Sequence, residues 1–295
     1  MIAAQSTLGV VAAALALLSL GYAIVGAMSI VPATSSGARK IWPILNIEAA
    51  IVGSVCTVFA FAPVLMPLAC LGLILRVVWE AASVRFRPGG AGLAIVWATA
   101  AGLGFLLLIL LVPWGWAVAL LALAWLAAMV IRLTRPEAAA ADLFSFPVLP
   151  ILAFGVSCTG GNEALFLAAW IGIETFDSYA LLAGKVFGRH KAFPALSPNK
   201  TIEGLAGGAI MLVLTAGGAA LLLPSVASGQ AIAFALLIGV FTVIGDLTAS
   251  HLKRRAGVKD YPQLVPHQGG LFDIFDSWIA TGGALAVVLA VAGLA

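Results

Sequence analysis

The stretch that decides the fold is "AGLAIVWATAAGLGFLLLILL", Ala91 to Leu111, which is 21 residues long and carries no charged side chain. A membrane-spanning helix needs about 20 mostly apolar residues, so this stretch is long enough to cross a bilayer. The whole 295-residue chain is similar in character: 63% of its residues are hydrophobic, 9% are charged, and the mean hydropathy is +1.14. A soluble domain carries roughly 25% charged residues. The sequence therefore predicts an all-α, polytopic integral membrane helix bundle.

Similar apolar stretches recur along the chain between charged residues, prolines and glycines. They predict ten spans: 8–31, 46–62, 64–80, 91–111, 115–132, 143–158, 164–186, 203–223, 231–250 and 277–294. The weakest are 46–62 and 64–80, which Pro63 separates, and the short 143–158; if one of them is re-entrant, nine transmembrane helices remain. The first 38 residues carry no charge, unlike the positive start of a signal peptide, so 8–31 is predicted to be a retained span.

We expect a single membrane domain over residues 1–295, with structural amino-terminal helices in 1–142 and catalytic helices and loops in 143–295. With ten spans and the amino terminus outside, all 15 Lys and Arg residues fall in or beside the inner loops. Basic residues collect on the cytoplasmic side of a membrane. This pattern predicts a multi-pass protein of the inner (cytoplasmic) membrane, with its active site on the cytoplasmic side and, for ten spans, both termini outside.

Other features exclude some classes of function. The net charge of +3 is too small to suggest a nucleic-acid partner. Cys56, Cys70 and Cys158 stand singly in apolar stretches and predict neither a zinc site nor a disulfide framework. Gly204 and Gly208 form a GxxxG pattern that predicts close helix packing. Such small-residue faces make a homodimer plausible.

Three aspartates lie at the predicted cytoplasmic ends of the last two spans. Asp246 is near the inner end of span nine, and Asp273 and Asp276 lie beside the start of span ten. Residues three apart share one face of a helix, where like charges repel unless a cation lies between them. Carboxylate oxygens suit magnesium, which also favours substrate phosphates. The pattern predicts a magnesium site, with a second cation such as K⁺ as an open alternative; a solvated helix start is the structural alternative.

Two more acids fall near the middle of span seven. Glu174 and Asp177 are again three residues apart, and each unpaired acid at the bilayer centre costs roughly 2.5–3.5 kcal/mol on insertion scales. We expect a polar cavity that opens to the cytoplasm, the alternative being two acids paired by neighbouring polar groups.

A polar loop precedes span eight and a glycine pair precedes span ten. In "SPNKT", Ser197 to Thr201, either end residue is suited to cap the following helix, and Lys200 beside exposed N–H groups predicts an anion site. Gly269-Gly270 would let the backbone approach a ligand closely. Cations for phosphates, carboxylates for a metal and a lipid-facing cavity together suggest phosphoryl or nucleotidyl transfer to a lipid.

The segment "GDLTASHLKRRAGVKDYPQLVPHQGGLFDIFD", Gly245 to Asp276, resembles the signature of the CDP-diacylglycerol synthases, also called phosphatidate cytidylyltransferases. The positions that match are Ser250, Leu252, Lys253, Arg254, Lys259, Asp260, Pro266, Gly269, Gly270, Asp273 and Asp276. Upstream, "FDSYALLAGKVFG" and "SPNKTIEG" resemble two further motifs of that family. Three positions depart from it: Gln268 replaces a histidine, with His267 one place earlier, Ile274 replaces an arginine, and Leu181 replaces a tyrosine.

The resemblance implies transfer of a cytidylyl group from CTP to phosphatidate, giving CDP-diacylglycerol and pyrophosphate in phospholipid biosynthesis. It implies catalytic roles for Asp246, Lys253, Asp273 and Asp276, with magnesium on the three aspartates. It implies substrate contacts for Ser197, Lys200, Thr201, Arg254, Lys259, His267, Gly269, Gly270, Glu174, Asp177 and Ser178.

The three departures leave two alternatives open: CTP-dependent transfer to a different lipid phosphate, or an inactive lipid-binding paralogue. An ion-coupled transporter that uses Glu174 and Asp177 is an alternative from another class. Transporter sites lie near the midplane, often with broken helices in both halves of the chain. Here the polar residues crowd the carboxyl-terminal half and one membrane face, which counts against a transporter.

Overall fold

Helices form almost the whole of the protein in the computed structural model, which describes residues 2–30, 32–222, 228–265 and 269–292. In chain order they are α1 (Ile2–Ile30), α2 (Pro32–Ala60), α3 (Ala62–Arg85), α4 (Ala91–Leu111), α5 (Trp114–Thr134), α6 (Ala139–Leu143), α7 (Leu149–Cys158), α8 (Glu163–Phe187), α9 (Ile202–Leu222), α10 (Ser228–Arg255) and α11 (Leu271–Val291). Two short strands, β1 (Lys191–Phe193) and β2 (Ser197–Thr201), join α8 to α9. The predicted all-α membrane fold is confirmed.

Each predicted span coincides with a helical segment. Among the described residues, seven segments are long and apolar enough to cross a membrane: Ala62–Arg85, Ala91–Leu111, Trp114–Thr134, Ala139–Cys158, Glu163–Phe187, Gly229–Arg255 and Leu271–Val291. Shorter apolar helices cover Thr7–Ala16, Leu45–Ala60 and Ile202–Gly218. The count of nine or ten spans stays a prediction, and its limits at residues 31, 223 and 294 lie outside the described residues.

The helix boundaries differ from the predicted ones at three ends that the sequence predicts to be cytoplasmic. The segment expected as the first inner loop is the start of α2, which begins at Pro32 and contains Pro43. Helix α10 continues through the basic residues to Arg255, and α11 begins at Leu271 rather than at 277. A charged side chain ends an apolar stretch of sequence, and so a predicted span, but the helix can continue. The long aliphatic part of the side chain lets its charged group reach water.

The sixth predicted span is two helices joined by an irregular turn. Between α6 and α7, Phe146 has an extended backbone, with φ −165° and ψ 122°. Proline disfavours helical backbone at the residue before it, and Pro147 follows Phe146 directly. Every residue of α7 is buried.

The loop before α9 is a hairpin rather than an irregular loop. Strands β1 and β2 pair antiparallel, with Lys191 opposite Thr201. The Gly204 N–H donates to Thr201 Oγ1 over 3.1 Å, so the predicted cap at Thr201 is confirmed, whereas Ser197 lies at the start of β2. A Cβ atom on Gly204 or Gly208 would lie 2.7 Å from a backbone carbonyl of α8, which confirms that GxxxG serves helix packing.

The chain forms two compact units. One comprises Met1–Ala69 with Gly161–Ala168, and the other Cys70–Gly160 with Ala169–Ala295. In the first, α1 packs on α2, and the Tyr22 hydroxyl donates to Asn46 Oδ1 over 2.9 Å. The single membrane domain and its division at residue 142 stay predictions.

The second unit contains all the described candidate site residues. Its helix α11 packs between α7 and α10 and is largely buried. Helices α4 and α5 present exposed leucines such as Leu107 and Leu123, as a lipid-facing surface requires. The buried position of α11 holds its first two turns, which carry Asp273 and Asp276, against α10.

Candidate functional site

Lys200 and Asp246 form an ion pair between β2 and α10. Lys200 Nζ lies 3.2 Å from Asp246 Oδ2, and the two side chains are 22% and 28% exposed. The pair lacks hydrogen-bond geometry, and Asp246 Oδ2 is a buried atom that finds no hydrogen-bond donor within the described part of the chain. This carboxylate therefore keeps acceptor capacity for a ligand.

Asp276, in the second turn of α11, is the neighbouring carboxylate. It is buried, and its Oδ1 accepts hydrogen bonds from the Ser277 N–H at 2.5 Å and from Ser277 Oγ at 3.1 Å. Its electrostatic neighbours are Asp246, of like charge, and Lys253, of opposite charge. Helices α10 and α11 approach so closely beside these acids that a Cβ atom on Gly245 would lie 2.7 Å from the Asp276 carbonyl oxygen.

Asp177 of α8 extends this group of charges. It interacts electrostatically with Lys200 and with Asp246. Glu174 and Ser178, predicted beside it in a polar cavity, are exposed on α8. We call Asp177, Lys200, Asp246, Asp276 and Lys253 the charged network; it draws on α8, β2, α10 and α11.

Asp273 does not offer a free carboxylate. Its Oδ1 accepts from Lys253 Nζ at 2.6 Å, and its Oδ2 accepts from the N–H groups of Tyr261 at 2.9 Å and Gly270 at 3.0 Å. In the first turn of α11 it acts as a helix cap. This differs from the solvated helix start that was the structural alternative, because the Asp273 side chain is only 10% exposed. In the ranges that the structure describes, no three His, Cys, Asp or Glu side chains lie close enough together to hold one metal ion. The predicted gathering of all three aspartates around a metal is therefore not formed here.

Two carboxylates still suit the metal that the sequence predicts. Magnesium is usually bound by one or two carboxylates together with substrate phosphates, and it keeps several waters. Asp246 and Asp276 are neighbouring like charges, and Asp246 Oδ2 is a buried oxygen without a hydrogen bond. This donor set fits a magnesium ion that a polyphosphate completes.

The remaining predicted substrate contacts divide by exposure. Arg254 and Lys259 are exposed near the end of α10, and Arg254 Nη1 donates to the Val258 carbonyl over 3.1 Å. Ser197 is partly exposed and Thr201 is buried at the two ends of β2. His267, together with the departing residue Gln268, lies outside the described residues.

The glycine pair before α11 fits closely against carboxylates of the protein itself. Gly269 has φ +90°, and a Cβ atom on it would lie 2.6 Å from Asp273 Oδ2. A Cβ atom on Gly270 would lie 2.5 Å from Glu80 Oε2. Both glycines are therefore needed for close approach to an acid, which is a different role from the predicted approach to a ligand.

Sequence reasoning missed two buried acids. Glu80 of α3 accepts hydrogen bonds from the first amides of α11, and Asp142 of α6 binds three arginines. These are Arg85, Arg132 and Arg255, the last at 3.1 Å. The sequence indicated them only by their location, because an acid inside or beside an apolar span needs a partner.

Comparison with known proteins identifies the family to which this sequence is similar. The sequence profile described as the cytidylyltransferase family matches residues 44–292. The chain is 37% identical over 123 residues to the phosphatidate cytidylyltransferase of Bacillus subtilis, covering 40% of this chain and 44% of that protein. It is 34% identical over 115 residues to the enzyme of that name from Staphylococcus saprophyticus, covering 39% and 43%.

A third relative carries no activity in its name. The uncharacterized protein YnbB of Escherichia coli is 36% identical over 178 residues, covering 60% of this chain and 52% of that protein. The chain thus spans about half the length of these curated relatives. The profile match nevertheless runs through both units and the whole charged network. The chain belongs to the cytidylyltransferase family.

Proposed function

We propose that the protein transfers the cytidylyl group of CTP to phosphatidate, giving CDP-diacylglycerol and pyrophosphate. The observation that carries this proposal is the charged network, in which two adjacent carboxylates from α10 and α11 lie among two lysines. Family membership and the names of two relatives support the same reaction. Such transfer depends mainly on positioning and on neutralising phosphate charge, which this set of side chains supplies.

The reaction balances without a protein nucleophile. An oxygen of the phosphatidate phosphate attacks the α-phosphorus of CTP, and a new P–O bond forms. The bond from the α-phosphorus to the oxygen that bridges to the β-phosphorus breaks, and pyrophosphate leaves with that electron pair. A phosphate monoester is largely ionised near neutral pH because its second pKa is about 6, so the attacking oxygen needs no general base.

Each charged side chain has a role in this scheme. Asp246 and Asp276 would hold magnesium, which supplies neutralisation of triphosphate charge. Lys200, beside Asp246, and Lys253, an electrostatic neighbour of Asp276, bind phosphate oxygens. Asp273 holds Lys253 in place through the 2.6 Å ion pair.

The more exposed basic residues suit capture of substrates. Arg254 and Lys259 lie outside the buried part of the site, where long-range attraction of anions acts through water. Basic residues also end α3, α5, α8 and α10 in their last turns. By the positive-inside rule these ends are cytoplasmic, which supports an inner-membrane protein with a cytoplasmic site and, for ten spans, both termini outside.

A different lipid phosphate as acceptor is the second candidate. Ile274 lies on α11 between the two aspartates and is half-buried, where the resembling motif has an arginine. Isoleucine cannot supply the bidentate fork with which arginine holds a phosphate. This departure favours an acceptor whose phosphate is held in another way.

Transfer of label from CTP to lipid tests the proposal. Purified protein in lipid micelles would receive CTP labelled at the α-phosphate, magnesium, and either phosphatidate or another lipid phosphate. We expect lipid-soluble label with phosphatidate, its loss in Asp276→Asn, and its retention in Glu163→Gln, which changes an acid in the first turn of α8. Label only on other lipid phosphates supports the second candidate, and a folded protein that labels no lipid contradicts both.

A further inference from the structure

The start of α11 is capped by a glutamate that comes from α3. Glu80 Oε1 accepts a hydrogen bond from the Leu271 N–H at 3.0 Å, and Glu80 Oε2 accepts one from the Phe272 N–H at 2.8 Å. The first amides of a helix have no partner within the helix, so both bonds satisfy groups that would otherwise need water. The Glu80 side chain is completely buried.

Arg76 holds this glutamate and the loop before α11 at once. Its Nε lies 2.6 Å from Glu80 Oε1, and its Nη2 donates to the Pro262 carbonyl over 3.1 Å. A buried ion pair often contributes little more stability than apolar residues of the same size. The pair instead fixes the position of the start of α11, because its two side chains bind two amides of that helix and one carbonyl of the preceding loop.

The surrounding contacts make the cap close-fitting. The ring of Phe272 is fully buried and packs on Phe146 and Tyr261, with ring centroids 5.4 and 4.6 Å apart. On the other side of the cap, Gly270 leaves no room for a side chain beside Glu80. The first turn of α11 is therefore held by hydrogen bonds at its amides and by packing at its second residue.

The two aspartates of α11 follow directly from this first turn. Asp273 comes one residue after Phe272, and Asp276 one turn later. A shift of the helix start along its axis would move Asp276 relative to Asp246, which is carried by a different helix. We infer that Glu80, held by Arg76, is a positioning residue that fixes where α11 begins and so keeps Asp276 beside Asp246. The catalytic meaning of this role rests on the proposed function.

Hydrogen exchange measures the cap independently of activity. The exchange of amides in residues 269–276 would be followed by mass spectrometry in Glu80→Ala and in the milder Glu80→Gln and Arg76→Gln, which serve if Glu80→Ala fails to fold. We expect about a tenfold or greater acceleration in Glu80→Ala, as loss of charge-assisted hydrogen bonds implies, and a smaller one in the other two. Ile74→Ala is the matched control, because Ile74 is buried on the same helix but faces Gly155 of α7.

Kinetics and metal binding separate positioning from stability alone. A merely structural role lowers the amount of folded protein and leaves kcat per folded molecule unchanged, as we expect for Ile74→Ala. Positioning lowers kcat per folded molecule about tenfold or more, and weakens Mn²⁺ binding in the presence of CTP, measured by paramagnetic resonance.

Three results overturn the inference: unchanged exchange at 269–276 in all three variants, faster exchange with unchanged Mn²⁺ affinity, or wild-type protein that binds no Mn²⁺. A wild type that labels no lipid defeats the proposed function alone. Exchange and Mn²⁺ affinity then still decide the role of Glu80.

Discussion

Lys253 and Asp273 join α10 to α11 through an ion pair whose charged atoms lie 2.6 Å apart, and their side chains are only 11% and 10% exposed. The Asp273 carboxylate also accepts hydrogen bonds from the backbone N–H groups of Tyr261 and Gly270. Lys253 therefore binds a carboxylate of the neighbouring helix α11 in addition to its proposed contact with phosphate. Asp273 is a structural group at the edge of the proposed site. In the proposed function, the cation site is therefore assigned to Asp246 and Asp276.

The Lys253–Asp273 pair is expected to couple strongly in a double-mutant cycle. Removing one partner of a buried pair leaves the other charge uncompensated, so Lys253→Met and Asp273→Asn should each lower the free energy of unfolding by about 3–5 kcal/mol. The double variant should lose less than the sum, with a coupling of about 1–3 kcal/mol. Unfolding in detergent measures this, and exposed Arg254→Met should change stability by less than about 0.5 kcal/mol. Strict additivity would contradict the pair.

Lys200→Met is expected to raise the KM for CTP in protein that is still folded. The ammonium lies beside Asp246, and a charge-assisted hydrogen bond to phosphate contributes about 1.5–3 kcal/mol, which corresponds to a rise of about 10–150-fold in KM for CTP. Lys191→Met is the control, because Lys191 is exposed on the neighbouring strand β1. Steady-state assays over a range of CTP concentrations decide; equal effects of the two substitutions would remove Lys200 from the site.

Gly270→Ala is expected to destabilise the protein through contact alone. Its φ of −81° suits any residue, but the new Cβ atom would lie 2.5 Å from Glu80 Oε2. Overpacking of this kind costs about 1–3 kcal/mol. Gly89→Ala, at φ +92° in open space, measures backbone strain without contact. Thermal unfolding of the two variants separates the cost of steric contact from the cost of backbone strain. An unchanged stability of Gly270→Ala would show that Glu80 does not lie against this glycine.

Tyr261 is expected to make the protein less stable in alkali. Burial raises the pKa of its phenol well above the ordinary value, and Asp273, Asp276 and Glu80 act in the same direction. Stability is full below the unfolded pKa of about 10, and it falls by up to about 1.4 kcal/mol per pH unit above that value, because only the unfolded phenol ionises.

Tyr261→Phe isolates this effect. Its hydroxyl is buried and lacks a hydrogen-bond partner among the described residues, so its removal near neutral pH should cost little. Unfolding free energies on both sides of about pH 10 should then fall less steeply in the variant than in the wild type. Identical pH dependence in the two proteins would refute the assignment.

Length and hydropathy were enough to locate the helices, because a bilayer demands long apolar segments wherever the chain crosses it. The cap at Thr201 and the packing at Gly204 were also predictable, since both are indicated by sequence patterns only a few residues long. The ends of α10 and α11 were not, because a run such as Lys253 to Arg255 closes an apolar window while the backbone continues as a helix.

The partners of the charged residues could not be predicted from the sequence. Glu80 and the amides of Leu271 and Phe272 are about 190 residues apart in the chain, so no local pattern indicates that they meet. The types and spacing of Lys253 and Asp273 were consistent with binding phosphate and metal. Only the tertiary arrangement shows that the two bind each other.

Paramagnetic resonance of Mn²⁺, used in place of magnesium, tests whether Asp246 and Asp276 hold a cation that the phosphates of CTP share. With CTP bound, we expect coupling between Mn²⁺ and the phosphorus nuclei of the nucleotide, because one cation contacts the protein carboxylates and the phosphates together. Asp246→Asn and Asp276→Asn should each weaken Mn²⁺ binding at least about tenfold, whereas Asp273→Asn in still-folded protein should weaken it less. Equal loss in all three variants would restore a three-aspartate site, and full Mn²⁺ affinity in both Asp246→Asn and Asp276→Asn would contradict the claim.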